Sequence, residues 1–213
     1  MVDWPHLNWL RKLPVPQAYS SMANLPNTVW DDMKQFARLS VQAAAETGAR
    51  SVGMIAPVYP PAQQRDGSPH PNGEFILEFV QAAHAAGLET RNEWMCVSAS
   101  PDEGNRNQEI WGYRKLHEFW RQPSRPEALV VYPDTTARGV VMGLLELQVR
   151  VPQDLKLVLH KNVEVEMLCP LPATFLTVSM REVAQALLEQ VEQQFYGNSC
   201  APKLIGYRRE PLP

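Results

Sequence analysis

The alternation of apolar and polar positions in the centre of the chain predicts a strand, a helix and a second strand in succession. Residues 128–132 are a β-branched apolar run, typical of a strand buried on both faces. Asp134 follows, beside two threonines that can accept hydrogen bonds at a helix start. A proline-bearing turn at 149–154 leads into a second apolar run at 155–159. Such a unit closes right-handed onto a parallel sheet, and the loop containing Asp134 lies where open α/β sheets bind ligands.

Other segments carry weaker but similar patterns. Residues 58–72 are a proline-rich loop, and residues 1–30 show no convincing periodicity, so we expect them to be irregular. Ser179 and Glu182 stand at the spacing of a capping box. Helical spacing predicts helices at 31–47, 75–86, 105–121 and 179–195, and short apolar runs predict strands at 51–56, 93–98, 175–178 and 202–208.

The order of these elements indicates the fold class. Strands and helices alternate from residue 31 to residue 159, which predicts an α/β fold. Its core should be an open parallel sheet of about four to six strands, flanked by helices.

Composition narrows the functional classes. The 213 residues are 45% hydrophobic and 20% charged, which is ordinary for a globular protein. A net charge of -3 without lysine or arginine clusters argues against this chain binding a phosphate backbone. The absence of a membrane-length apolar run and of a secretion signal favours a cytoplasmic protein. Cys96, Cys169 and Cys200 are isolated, so we expect reduced thiols; neither metal nor cofactor is predicted.

The central unit resembles the effector-binding domain of LacI/GalR-type transcriptional regulators. That family shows an apolar strand, Asn-Asp, A-x-G in the next helix, and a V-P-x-D turn. The residues that match are Asp134, Ala137, Gly139, Val151, Pro152 and Asp154. The resemblance implies a type I periplasmic-binding-protein-like fold, N-terminally truncated, with its second lobe nearly whole and its first lobe partial. It assigns 1–30 to a remnant of the first lobe, 31–159 to the second-lobe α/β domain, and 160–213 to a crossover, the C-terminal helix and a closing strand.

The resemblance also implies a function. The chain would be the ligand-sensing and dimerising part of a regulator, binding a small-molecule effector such as a sugar or sugar derivative. It would form a homodimer and reach DNA only through a helix-turn-helix that this chain does not contain. With one lobe partial, we expect weak or no effector binding. A solute-binding protein for transport shares the two-lobe design and is the alternative.

Four residues are candidate ligand contacts. Asp134 matches the family's ligand-contacting aspartate, although a helix N-cap would explain it equally well by position alone. Three further contact positions are altered: Phe75 stands where the family has arginine, Asn107 where it has an aromatic residue, and Lys161 where it has aspartate. Lys161 could form an ion pair with an anionic ligand, or it could be an exposed loop residue.

Catalytic chemistry has little support in the sequence. An α/β enzyme using Asp134 would need a partner residue, and none is evident. The remaining candidates for general acid-base catalysis are scattered over different predicted elements. No serine or cysteine lies in a known nucleophile motif. These scattered residues are His70, His84, His117 and His160. We therefore predict no catalytic residue.

Overall fold

The computed structural model describes residues 9–21, 25–59, 71–100, 103 and 107–210. It divides into unit 1, Met1–Asp32 with Val178–Tyr207, and unit 2, Met33–Thr177 with Arg208–Pro213. The helices are α1 Met33–Glu46, α2 Pro71–Ala85, α3 Gln108–Trp120, α4 Asp134–Glu146 and α5 Met180–Phe195. The strands are β1 Tyr19–Ser20, β2 Thr28–Asp31, β3 Val52–Ala56, β4 Met95–Val97, β5 Ala128–Val131, β6 Lys156–Asn162, β7 Thr174–Val178, β8 Lys203–Ile205 and β9 Arg208–Arg209.

Unit 2 is built on a six-stranded sheet with strand order β4-β3-β5-β6-β7-β9. The pairs β3–β4, β3–β5 and β5–β6 are parallel, and β9 pairs antiparallel with β7. Every residue of β3 and β5 is buried, which requires cover on both faces. Helices α3 and α4 cover one face, where Leu129 and Val131 pack, and α1 packs from the other. The predicted α/β class with a parallel sheet is confirmed.

Unit 1 is a three-stranded parallel sheet of order β1-β2-β8, with α5 packed beside it. Glutamines hold α5 in place. The Gln190 amide donates to the carbonyls of Thr28 and Ala201, both at 3.2 Å. Gln194 exchanges two hydrogen bonds of 2.9 Å with the backbone of Gln17. Ser179 caps α5 by accepting from the Glu182 N–H at 3.2 Å, so its part in the predicted capping box is present.

Several predicted segments differ from the structure. Residues 1–30 contain β1 and most of β2, which are too short to show periodicity. Helix α2 begins at Pro71 rather than residue 75, because proline suits the first helical position; residues 60–70 of the predicted loop lie outside the described residues. The predicted 93–98 strand begins with a 3-10 turn and is a strand only in β4.

The predicted strand at 202–208 is two strands in two sheets. β8 pairs with β2 in unit 1, and β9 pairs with β7 in unit 2. Between them Tyr207 is buried, and its hydroxyl donates a hydrogen bond to the carboxylate of Asp31. This inward turn interrupts the extended run. The lobe boundaries expected from the resemblance stay a prediction. Among the described helices, none is both long and apolar enough to cross a membrane.

Helices α3 and α4 touch backbone to backbone. A Cβ atom added at Gly139 would overlap the carbonyl oxygen of Glu109, and one at Gly112 would lie 2.5 Å from the carbonyl oxygen of Thr136. A Cβ at Gly143 would meet side chains and no backbone, and its nearest neighbour would be the Cδ2 atom of Leu116 at 2.7 Å. Glycine at the first two positions is therefore a condition of this packing.

Gly139→Ala is expected to lower the free energy of unfolding by about 3 kcal/mol, because overpacking against a backbone cannot be relieved by a rotamer change. In an open helix the same change stabilises by about 1 kcal/mol. Urea unfolding measures the difference. Gly143→Ala, on the same helix, is the matched control and should cost less, since the end of Leu116 can move. Equal effects of the two substitutions would contradict this packing.

Candidate functional site

The carboxyl ends of β5 and β6 place Asp134 and His160 side by side. The two strands pair in parallel with Val131 opposite Leu159, so their following residues emerge at one edge. The backbone N–H of Asp134 donates to Nδ1 of His160 at 3.0 Å. Because the aspartate is also the first residue of α4, this bond joins the helix start to the end of β6.

The carboxylate of Asp134 is only partly used by the protein. Its Oδ1 accepts a hydrogen bond from the backbone N–H of Thr135 at 2.9 Å. Its Oδ2 makes no hydrogen bond with the part of the chain that the structure describes. The helix start favours a negative charge at this position. A half-buried carboxylate with one unengaged oxygen can accept a hydrogen bond from a hydroxyl or an amine of a ligand.

His160 is a neutral imidazole. A ring nitrogen that accepts from a backbone N–H carries no proton, so the proton lies on Nε2. The side chain is only 5% exposed. Burial lowers the pKa of His160 to about 4, and the nearby Asp134 carboxylate opposes this only in part. The hydrogen-bond geometry and the direction of the pKa shift therefore agree.

Aromatic rings surround this imidazole. The Tyr132 ring lies edge-on to His160 with centroids 4.9 Å apart, and the Phe36 ring lies 5.7 Å from it. Phe75 packs behind Tyr132 at 5.5 Å and is fully buried. Tyr132 is half-buried. The cluster thus forms an apolar support beneath the edge that carries Asp134.

The Lys161 side chain has its partners within unit 2. Its Nζ atom lies 2.9 and 3.1 Å from the two carboxylate oxygens of Glu210, and 5.4 Å from the centre of the Phe175 ring. Its side chain is 24% exposed. The ammonium therefore has both an ionic and an aromatic partner at this end of β6.

Asn107 caps α3 at the same edge of the sheet. Its side-chain oxygen accepts from the backbone N–H of Ile110 at 3.0 Å. The next residue, Gln108, hydrogen-bonds the hydroxyl of Thr135 at the start of α4. The close packing of α3 and α4 thereby brings Asn107 near Asp134.

The four predicted site residues thus lie at one end of the sheet, with different environments. Asp134 has an unengaged oxygen, Phe75 is buried, Asn107 is a helix cap and Lys161 is ion-paired; their role in binding stays a prediction. The sequence reasoning did not select His160. The alternation of side chains between the two faces of β6 could have identified His160. It lies two residues after Val158, so the two side chains are on the same face of the strand.

The other histidines remain apart from this edge. His84 is exposed on α2, while His117 contacts the Tyr113 ring on α3, with centroids 4.6 Å apart. His117 Nε2 lies 3.5 Å from a Glu146 oxygen, too poorly placed for a hydrogen bond. His70 lies outside the described residues. The three cysteines are free thiols, and burial raises the pKa of Cys96 to about 11.

Comparison with known proteins agrees with this architecture. The model of a family described as periplasmic binding protein-like domain matches residues 41–205. The HTH-type transcriptional repressor PurR of Pectobacterium atrosepticum is 29% identical over 137 residues, which are 64% of this chain and 36% of that relative. The chain therefore spans little more than a third of that relative's length.

Solved structures show the same fold. A LacI family transcription regulator from Clostridium acetobutylicum superposes with a TM-score of 0.73 at 16% identity, covering 97% of this chain and 74% of that one. The structure of a transcriptional regulator CelR–cellobiose complex has a TM-score of 0.63 at 18% identity, covering 94% of this chain and 55% of that one.

The parallel sheet and the helices that flank it define an α/β domain. The chain belongs to the periplasmic binding protein-like domain family. The resemblance to LacI-type effector-binding domains, which the pattern in the central unit predicted, is confirmed. The relatives are transcriptional repressors rather than enzymes, and they do not favour the transport alternative.

The neutral state of His160 should make the protein sensitive to acid. The folded-state pKa of about 4 lies below the ordinary value of 6.5, so this contribution to stability is complete above pH 6.5 and is lost as the pH falls toward 4. The loss should reach about 3 kcal/mol. Urea unfolding between pH 7 and 4.5 should show a shallower decline for His160→Gln than for the wild type.

The exposed His84 supplies the control. His84→Gln should keep the wild-type dependence of stability on pH, because that side chain is in solvent. Carboxylates also titrate in this range, so the comparison between variants, and not the wild-type curve alone, isolates His160. Identical pH dependence in all three proteins would contradict a buried neutral imidazole.

Proposed function

We propose that this chain is the ligand-sensing domain of a LacI-type transcription regulator, and that its effector binds over the carboxyl ends of β5 and β6. The observation that carries the proposal is Asp134, whose Oδ2 has no hydrogen-bond partner in the described part of the chain and which stands at the N-terminal end of α4. The hydrogen bond from the Asp134 backbone N–H to His160, which packs against the Tyr132 ring, fixes the backbone that carries this carboxylate.

The effector we propose is a hydroxyl-bearing small molecule such as a sugar or sugar derivative. A carboxylate accepts hydrogen bonds from hydroxyl groups, and the CelR neighbour was solved with cellobiose. The ion pair between Lys161 and Glu210 weighs against an anionic effector, because an anion would have to displace Glu210. A neutral polyol has no such competitor at Asp134.

Regulation would follow from a shift between two conformations of the whole protein. A ligand moves such an equilibrium only by its differential affinity for the two states, and a nearly complete swing requires about 5 kcal/mol. DNA contact would be made by a helix-turn-helix of the whole regulator, since a charge of -3 without basic clusters does not suit this chain to a phosphate backbone.

Asp134→Asn should weaken binding of a sugar effector about tenfold or more, because it replaces a charge-assisted hydrogen bond with a neutral one. Amide chemical-shift titration with a panel of sugars, including cellobiose, detects weak and tight binding alike. For the wild type we expect weak binding, with shifts centred on the amides of Asp134 and Thr135 at high sugar concentrations.

Asp154→Asn is the matched control. That carboxylate pairs with Arg150 in the turn before β6, at the opposite end of the strand. It should leave the ligand-induced shifts unchanged. The proposal fails if no panel member shifts the amides near Asp134, or if Asp134→Asn binds as well as the wild type does.

We further propose that the chain forms a homodimer through apolar side chains exposed on unit 2. Arg138 of α4 donates to the carbonyl oxygen of Glu166 at 2.8 Å, which ties the loop after β6 to this helix. The loop and the helix together expose large hydrophobic side chains, of which Leu168 is 91% exposed. We call this surface the α4 patch; it consists of Met142, Leu145, Val163 and Leu168.

Leu168→Asp should shift the protein toward monomer in sedimentation at micromolar concentration, because it places a charge in the apolar contact. Leu77→Asp is the control: Leu77 is 56% exposed on α2, outside the α4 patch, and its substitution should not change self-association. A wild-type protein that sediments only as a monomer would exclude the dimer.

A further inference from the structure

Thr135 links two polar side chains at the edge of the sheet that carries Asp134. Its backbone N–H donates to Oδ1 of Asp134 at 2.9 Å. Its hydroxyl donates to Oε1 of Gln108, which is the first residue of α3. Asp134 and Gln108 belong to different helices, and each is one hydrogen bond away from the same threonine.

Each of these two hydrogen bonds uses only part of a side chain. Oδ2 of Asp134 and Nε2 of Gln108 have no hydrogen-bond partner among the residues that the structure describes. A carboxylate oxygen accepts hydrogen bonds, whereas Nε2 of an amide carries two N–H donors. Both side chains are half-buried and Thr135 is exposed, so a ligand can reach them from solvent. The edge therefore offers an acceptor and a donor close together.

The close packing of α3 and α4 holds this acceptor and this donor in register. Gly112 lies one turn after Gln108 on α3, and a Cβ atom added there would stand 2.5 Å from the carbonyl oxygen of Thr136. Thr136 follows Thr135 directly, so the two helix starts cannot slide past each other without a clash of backbones. Groups that are held in place before a ligand arrives lose little freedom when it binds.

We propose that Gln108 is a specificity-determining residue of the effector site and that, together with Asp134, it selects vicinal diols. One hydroxyl of the ligand donates to Oδ2 of Asp134, and the oxygen of the neighbouring hydroxyl accepts from Nε2 of Gln108. Thr135 is a positioning residue, because its hydroxyl orients the Gln108 amide. This inference rests on the proposed effector site at Asp134 and adds to that site a second contact and a class of ligand.

The pair of groups suits a neutral diol better than a charged ligand. An ammonium group would be attracted to Asp134, but it has no lone pair to accept from the amide of Gln108. An anion could accept from that amide, but the carboxylate of Asp134 would repel it. A hydroxyl both donates and accepts, so two adjacent hydroxyls satisfy both side chains at once.

Two isomers of cis-cyclohexanediol test the inference. The hydroxyl groups of the adjacent diol are on neighbouring ring carbons, and those of the opposite diol are across the ring. In amide chemical-shift titrations, the wild-type chain should bind the adjacent diol about fivefold more tightly, because only this isomer gains the second hydrogen bond. The side-chain amide signals of Gln108 should move with the adjacent diol. Those of Gln122, which donates to the carbonyl of Glu93 at 2.9 Å beyond the other end of α3, should stay.

Two substitutions of Gln108 separate recognition from structure. Gln108→Met has a similar length without donors, so it should abolish the preference for the adjacent diol. Gln108→Glu keeps an acceptor for the Thr135 hydroxyl and suits the first turn of α3, but it replaces the donors with a second carboxylate. It should raise the affinity for D-glucosamine relative to D-glucose about tenfold. Gln81→Glu makes the same change of charge on the exposed face of α2 and should leave that ratio unchanged.

The inference is overturned if the wild type binds both diols equally, if the Gln108 side-chain signals do not move, or if Gln108→Met keeps the preference. When binding in these cases still depends on Asp134, the proposed effector site stands without Gln108. When neither diol nor any sugar of the panel shifts the amide of Asp134, the effector site is wrong and the inference fails with it.

Discussion

The backbone contact between α3 and α4 is the constraint on which the candidate binding edge depends. The carbonyl oxygen of Glu109 occupies the space that a side chain at Gly139 would need. Only with glycine there can the two helices start side by side, which allows Gln108 to reach Thr135 and places Asn107 near Asp134. The glycine of the A-x-G pattern therefore acts through packing, and it aligns the residues at the starts of the two helices.

The fold was predictable where periodicity is local and strong. The strand that begins at residue 128 and the helix that follows it start within a residue of their expected positions. Buried parallel strands and amphipathic helices each require a characteristic spacing of apolar residues, and that spacing can be recognised in the sequence. The short strands β1 and β2 were not predictable, since two to four residues carry no period. β2 is stabilised by β8, more than 170 residues later, and such distant pairing leaves no trace in either segment.

The candidate site was predictable only in part, for a related reason. Asp134 could be chosen because its surroundings, a strand end and a helix start, are encoded by its neighbours. His160 takes its neutral state from a backbone N–H 26 positions earlier in the chain. The ion pair of Lys161 depends on Glu210, 49 positions later. Chemical character that arises from such partners appears only when the chain is folded.

The pairing of Lys161 with Glu210 has a consequence for selectivity. Glu210 belongs to the same chain, so it competes for the ammonium at an effective concentration on the order of millimolar or above. The concentration of a free phosphate or carboxylate would have to exceed this effective concentration before the anion displaced Glu210 at the end of β6. Glu210 thus occupies Lys161 in the way that an anionic ligand would, and we expect the domain to respond poorly to anionic metabolites.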